Sequence, residues 1–285
     1  MRTIFLTFLT LVILYSGFIE AVPPARDSVT VSQEALNRQT VERYRYRIKA
    51  PIVIVGSSLA ARFAAASDSP CVYDLSIAGG SALTGLSVVA QKQDKPRLVL
   101  VEINLLDRPI DTRFAEAPLW YRRYLPFTWV ENSPVSRLLT AIADARGSRS
   151  EIKSNAAMRA EPLRLQQASY DHPPSATAMA QSIKALRQTI NVLRQQGIAT
   201  SLFEMPVDAS LENRPRSRIM REAVKAAFPE LRFIDAQTLS AGASVQTADG
   251  IHLEKEEAAL VLHRLLAAFG SVCPNNTAPV MEIRR

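Results

Sequence analysis

The feature that most constrains the fold is a strict alternation of short apolar segments with longer helical ones. Residues 52–55 are an uncharged β-branched run, which is typical of a strand buried on both faces. Residues 175–197 place apolar side chains at spacings of three and four and end on a glycine, which predicts a helix. Alternating strands and helices imply a parallel sheet with helices on both faces, so the sequence predicts an α/β fold. Five strands are expected, at residues 52–55, from residue 71, and at residues 98–104, 199–205 and 232–236.

The turn after the first strand carries a hydroxyl group in an exposed position. Gly56 lets the chain turn sharply, and Ser57 and Ser58 follow it, ahead of helix-forming residues. A junction from strand to helix exposes a side chain above the sheet and points backbone N–H groups toward it. A capped turn or a phosphate-binding loop has the same local pattern, so this segment alone does not define a site.

Other polar positions follow the next strands or precede the last helix. Gly79 comes after the second strand, and Asn104 ends the third. Asp249 and His252 stand three residues apart, ahead of a helix expected at residues 254–269. Ligands of parallel sheets bind at the carboxyl ends of the strands, where Gly79, Asn104 and the serines are expected to meet.

This order of serine, glycine, asparagine and aspartate with histidine resembles the four sequence blocks of the SGNH (GDSL-type) hydrolases, over roughly residues 50–270 apart from one long insertion. The resemblance implies a flavodoxin-like three-layer sandwich with a five-stranded parallel sheet and a serine mechanism without a cofactor. It implies that Ser58 is the nucleophile, His252 the general base and Asp249 the residue that orients the base. The oxyanion hole would consist of the Ser58 and Gly79 N–H groups and the Asn104 side-chain amide.

The chain departs from the family pattern at three positions. Ser57 stands where aspartate is usual, Glu102 where the asparagine block has glycine, and Leu105 where that block has aspartate. All five catalytic positions are present, so the departures bear on substrate and rate more than on mechanism.

The implied reaction is ester hydrolysis through an acyl-enzyme. A serine hydroxyl needs a histidine to accept its proton, and the histidine needs a partner that fixes its tautomer. Export, a basic surface and an aromatic insertion favour an O-acylated carbohydrate as the substrate. Two alternatives stay open: an O-acyltransferase that uses the same triad on an envelope polysaccharide, and a non-catalytic binding or assembly partner with the same fold.

The first residues predict export from the cytoplasm. Residues 4–18 are almost wholly apolar, and Ala21 stands where a signal peptidase would cut. A signal peptide is expected at residues 1–21. The alternative is an uncleaved anchor at residues 4–19, because a membrane span needs about 17–25 residues. The remaining chain is expected to form a linker or helix at 22–49, a periplasmic or secreted domain at 50–273, and a tail at 274–285.

The only two cysteines are placed where they can pair. Cys71 opens the second strand and Cys273 follows the last helix. In a parallel α/β layer, strand starts and helix ends share the face opposite the active site. An oxidising compartment then permits a disulfide, and two unpaired thiols are the alternative.

Residues 105–174 form an insertion where a short connection is usual. It holds both tryptophans, Trp120 and Trp129, which are suited to stacking on a sugar ring or closing over an acyl chain. A small satellite core that holds the insertion together is the alternative. His172 lies near the exit of this segment, and we interpret it as a loop residue, with contact to the substrate as the alternative.

Charge and composition argue against several other functions. The net charge of +7 comes mostly from scattered arginines, without the basic stripe and aromatics that predict nucleic-acid binding. Three histidines and two distant cysteines lack the spacing of metal ligands, so neither a metal nor another cofactor is expected.

Overall fold

The computed structural model describes residues 1–21, 32–64, 66, 69–116, 120–145 and 156–270. They contain one five-stranded, all-parallel sheet and eleven α-helices, which confirms the predicted α/β class and the five-stranded parallel sheet. The strands are β1 (Ile52–Val55), β2 (Val72–Asp74), β3 (Leu98–Glu102), β4 (Ala199–Phe203) and β5 (Phe233–Ile234). Cys273, residues 22–31 of the expected linker and the tail at 274–285 lie outside the described residues, so the disulfide stays a prediction.

The strand order of the sheet is β2-β1-β3-β4-β5. This is the order of flavodoxin-like folds, in which ligands bind beside the two strands where the order reverses, here β1 and β3. The two strands pair in register from Ile52 with Leu98 to Val55 with Val101. Both are fully buried, as the uncharged β-branched sequence of β1 predicts, and β3 also buries the carboxyl group of Glu102 at its end.

The helices follow the predicted alternation through the sheet region. The helices predicted at residues 175–197 and 254–269 are present, with their ends shifted by one or two residues. The N-terminal part and the insertion contain further helices. In chain order the helices are α1 (Arg2–Ala21), α2 (Gln33–Tyr46), α3 (Ala82–Gln91), α4 (Thr112–Ala115), α5 (Pro134–Ala145), α6 (Ala156–Asp171), α7 (Ala176–Gln195), α8 (Ala209–Glu212), α9 (Pro215–Ala227), α10 (Ala236–Ser240) and α11 (Lys255–Ala267).

The chain divides into two compact units. The sheet unit consists of the described residues of Ile48–Ala115 and Ser154–Arg285 and contains all five strands. The N-terminal unit consists of the described residues of Met1–Arg47 and Glu116–Lys153. The segment that the sequence presents as one insertion at 105–174 is therefore shared between the units.

The core of the sheet unit is apolar on both sides of the strands. Helix α7 buries Leu186, Ile190 and Leu193, which recur at the helical spacing of three and four that the sequence shows. Gly197 stops this helix, with φ of +76°, a conformation that L side chains rarely adopt. Helix α11 buries Val261 and Leu265 in the same way.

Buried carboxylates join the two parts of the N-terminal unit. Glu42 on α2 forms an ion pair with Arg122 at 2.7 Å and accepts a hydrogen bond from the Val130 N–H at 2.8 Å. In a second ion pair the arginine is on α2, where Arg43 binds the carboxylate of Glu131. Because both carboxylates are nearly inaccessible to solvent, their partners fix α2 against residues 120–133.

Helix α1 is long and apolar enough to cross a membrane, and Arg2–Ile19 is the one such segment in the described part of the chain. A signal sequence passes the same test. Its last turns belong to the N-terminal unit, since the Tyr15 hydroxyl donates to the Asn132 carbonyl at 2.6 Å and Ile19 is buried.

Candidate active site

The serine turn follows β1 directly. The chain passes from Val55 through Gly56 to Ser57 and Ser58, and a 3₁₀ helix, Ala60–Phe63, begins two residues later. A Cβ on Gly56 would lie 2.6 Å from the Ala60 Cβ and 2.7 Å from a Glu102 carboxylate oxygen, so the turn is too tight for any other residue. The helix after the serines is thus shorter than the sequence indicates, and Ser58 remains partly exposed at the carboxyl end of β1.

Asp249 and His252 occupy a turn that its own backbone closes. Thr247 and Leu253 form an antiparallel bridge across it, and the Ala248 N–H donates to the His252 carbonyl at 2.8 Å. Gly250 sits between them with φ of +100°, which requires glycine. The Asp208 N–H, beyond the end of β4, donates to the Gly250 carbonyl at 2.7 Å and fixes the turn to the sheet unit.

The structure brings the three side chains that the sequence singles out into one hydrogen-bonded chain. His252 Nε2 lies 3.0 Å from Ser58 Oγ, and His252 Nδ1 lies 2.7 Å from Asp249 Oδ2. The other Asp249 oxygen accepts from the backbone N–H groups of Ile251 and His252 at 3.2 and 2.9 Å. The aspartate is therefore held on both oxygens and orients the imidazole toward the serine.

The charge of Asp249 determines the histidine tautomer. Burial raises the pKa of Asp249, but hydrogen bonds from the His252 ring and backbone outweigh it and lower the pKa to about 2. The carboxylate is then ionised at neutral pH and can only accept, so the proton of the neutral imidazole resides on Nδ1. Nε2 is left as an acceptor that faces the Ser58 hydroxyl.

Two backbone N–H groups of the predicted oxyanion hole have no acceptor among the described residues, those of Ser58 and Gly79. Gly79 has φ of +79°, and a Cβ there would meet no atom within 4 Å. Backbone conformation, and not lack of space, thus requires glycine at this position.

Asn104 lies two residues past the end of β3, where its side chain joins the ends of two strands. Its Nδ2 donates to the Met205 carbonyl at 2.9 Å, and its Oδ1 accepts from the Met205 N–H at 2.7 Å. Met205 stands two residues beyond β4. An amide nitrogen carries two hydrogens, so one remains for a ligand. Asn104 is thus both a structural link and a candidate oxyanion donor.

Two of the departures from the family pattern contact each other. The Glu102 carboxylate is buried and accepts from the Ser57 N–H at 2.6 Å and from the Ser57 hydroxyl at 2.7 Å. Burial raises the pKa of Glu102, and the hydrogen bonds from Ser57 oppose that rise. A carboxylate thus reaches the residue before Ser58 from β3. In the sequence, Ser57 and Glu102 are two separate departures, because no local pattern links positions 45 residues apart.

A second buried carboxyl ends β2. Asp74 pairs in register with Ile54 of β1 and accepts from the Ser76 N–H at 3.0 Å. Burial is the main cause that raises its pKa, to about 7, and hydrogen bonds only partly offset the effect. The sequence carries no signal for this carboxyl group, since an aspartate at a strand end is ordinary.

The remaining predicted contacts are those of the two tryptophans and His172. Trp129 belongs to the N-terminal unit, is 4% exposed and stacks on Tyr46 with ring centroids 5.0 Å apart. This agrees with the satellite-core alternative. The side chain of Trp120 lies outside the described part of the structure. His172 is exposed just after α6, and no hydrogen bond among the described residues joins its ring to Ser58, Asp249 or His252.

No cluster of three or more histidine, cysteine, aspartate or glutamate side chains among the described residues is arranged to hold a metal ion. Comparison of the chain with protein-family models and with curated proteins gave no match.

Proposed function

We propose that the chain is a serine esterase of SGNH type that works through an acyl-enzyme. The observation that carries this proposal is the chain of hydrogen bonds from Ser58 through His252 to Asp249, at 3.0 and 2.7 Å. This chain of hydrogen bonds lies beside β1 and β3, where the strand order of the sheet reverses and where ligands of such sheets bind. A serine, an acceptor imidazole nitrogen and an ionised carboxylate in this order are what acyl transfer requires.

In the first half of the reaction, Ser58 Oγ attacks the ester carbonyl carbon while His252 Nε2 takes the hydroxyl proton. The Asp249 carboxylate stabilises the imidazolium that forms. The carbonyl oxygen becomes negative, and the N–H groups of Ser58 and Gly79 with the second Asn104 amide hydrogen would bind it. His252 then gives the proton to the leaving alcohol, which departs and leaves an acyl group on Ser58.

In the second half, water attacks the acyl-enzyme and the same groups act again. His252 accepts the water proton, and the tetrahedral intermediate collapses to release the acid and restore the Ser58 hydroxyl. If a sugar hydroxyl took the place of water, the product would be an acylated acceptor. Hydrolysis and transfer thus differ only in which hydroxyl reaches the acyl-enzyme.

The substrate class in this proposal is an O-acylated carbohydrate. It follows from the apolar N-terminal helix, which fits an exported or anchored protein, and from the basic net charge of +7. Trp129 does not support a carbohydrate substrate, because its ring is buried and stacks on Tyr46 within the N-terminal unit. His172 remains a candidate contact through its exposed position.

The test is hydrolysis of 4-nitrophenyl acetate by the full chain and by the variants Ser58→Ala and His252→Ala. Loss of the wild-type rate in both variants is expected. The matched controls are Ser87→Ala and His263→Ala, partly exposed and exposed residues that lie on α3 and α11 outside the triad. They are expected to keep the rate. Hydrolysis that survives Ser58→Ala would refute the proposal.

A further inference from the structure

Helix α5 has its polarity reversed compared with a helix in water. Val135, Leu138 and Ile142 recur at spacings of three and four on one face, and their side chains are 64%, 62% and 38% exposed. The buried residues of the helix include Ser136 and Thr140. A surface helix of a soluble protein does the opposite and turns its apolar face toward the core.

The polar face of α5 is satisfied inside the N-terminal unit. Ser133 Oγ donates to Ser136 Oγ at 2.8 Å, and the Thr140 hydroxyl donates to the Ser136 carbonyl at 2.9 Å. These bonds allow the helix to bury its small hydroxyl side chains without leaving them unpaired. The orientation that exposes Leu138 is thus the one in which the polar groups are paired.

Helix α1 contacts the start of α5, and this contact indicates what covers the exposed apolar face of α5. The Tyr15 hydroxyl donates to the Asn132 carbonyl at 2.6 Å, two residues before α5 begins, and the Arg137 guanidinium lies 5.7 Å from the Phe18 ring centroid. The last turns of α1 thus meet the first turn of α5. As a whole, the segment Arg2–Ile19 is long and apolar enough to cross a bilayer, and most of its apolar side chains are exposed. Any bilayer that receives α1 therefore reaches the start of α5.

We propose that the apolar face of α5, formed by Val135, Leu138 and Ile142, lies in the lipid bilayer that holds α1. The N-terminal unit is then a membrane-seated module, with α1 inserted and α5 lying along the interface. An interfacial helix of this kind buries its apolar face among acyl chains and keeps its polar groups away from them. The three side chains provide that face, and the contacts at Asn132 and Arg137 set its position next to α1.

The test places a nitroxide at position 138 of the full chain in phosphatidylcholine and phosphatidylglycerol nanodiscs. The label is attached through an encoded ketone amino acid, so Cys71 and Cys273 stay unchanged. Relaxation by oxygen, which concentrates in lipid, is compared with relaxation by a water-soluble nickel chelate. The matched control is position 165 on α6, a leucine of similar exposure at 58% in the sheet unit.

The expected result is an oxygen-to-nickel ratio several-fold higher at position 138 than at position 165. Equal access of nickel to both positions would show that the face lies in water. Exclusion of both reagents from position 138 would show that protein covers the face, either a second copy or another chain. A purified chain that has lost residues 1–21 would also overturn the proposal, because nothing would then hold α5 at the bilayer. The proposal does not depend on the activity of Ser58, so the two can fail separately.

Discussion

At the scale of single residues, the contact of Glu102 with Ser57 shapes the turn that presents Ser58. One carboxylate oxygen accepts from both the backbone N–H and the hydroxyl of Ser57. The same oxygen lies where a side chain at position 56 would be, so Gly56, Ser57 and Glu102 fit together as a set. The carboxylate that contacts this turn is thus supplied from β3.

We predict that Ser57 and Glu102 are energetically coupled. Glu102→Ala leaves the buried Ser57 N–H unpaired and is expected to lower the free energy of unfolding by about 1–3 kcal/mol. A double-mutant cycle with Ser57→Ala, followed by urea unfolding, is expected to give a coupling energy of about 0.5–3 kcal/mol. Glu102→Gln keeps an acceptor oxygen at the same place and should cost less than Glu102→Ala. Additive effects of the two alanine substitutions would contradict the contact.

The raised pKa of Asp74 predicts that the stability of the fold depends on pH. Its pKa is about 7 in the folded chain, above the value of about 3.9 expected when unfolded. The folded state therefore holds the proton more tightly, and this contribution to stability is complete below about pH 4 and lost as the pH rises through about 7.

The Asp74→Asn variant isolates this effect. An amide keeps the acceptor for the Ser76 N–H but carries no titratable charge. We expect the free energy of unfolding of the variant, relative to the wild type, to rise between about pH 5 and about pH 8, by an amount that reflects the pKa difference. Urea unfolding at both pH values measures it. A constant difference between the two proteins would show that Asp74 does not titrate in this range.

Among the elements of the sheet unit, Asn104 links the ends of β3 and β4 and is also the proposed side-chain donor of the oxyanion hole. Asn104→Asp keeps an oxygen that can accept from the Met205 N–H but removes the donors to the Met205 carbonyl and to an oxyanion. We predict a loss of kcat/KM that corresponds to about 2.7–4 kcal/mol of transition-state stabilisation, as for other oxyanion donors. Ester hydrolysis measures it, and urea unfolding of the same variant records the structural cost. Lost stability with unchanged kcat/KM would make Asn104 a structural link only.

The sequence predicts the elements of the sheet unit well because their signals are local. A β-branched run such as Ile52–Val55 and the helical spacing in α7 each lie within one segment. Element ends are less well predicted. β3 stops at Glu102 and not at Asn104, since the strand pairs with β4 only as far as Phe203. The sequence predicts that Asp249 and His252 act as a pair, because they lie three residues apart. The hydrogen bond from His252 to Ser58 depends on the whole fold.

At the scale of the whole molecule, the N-terminal unit is the part that the sequence does not predict. The unit joins α2 to residues 120–133 through Glu42 with Arg122 and Glu131 with Arg43, pairs separated by about eighty residues or more. Ion pairs between distant segments leave no periodic pattern in a sequence. The sequence also does not predict that α5 exposes its apolar face. An amphipathic pattern shows that one face of a helix is apolar, but not which face the protein buries.

Covalent labelling shows whether Ser58 is a nucleophile activated by His252. The full chain is treated with an alkyl fluorophosphonate, and the modified residue is found by mass spectrometry of its peptides. We expect a single adduct on Ser58 that His252→Ala abolishes and His263→Ala does not. A folded protein that takes no adduct, or takes one on a different serine, would show that Ser58 is not the activated nucleophile.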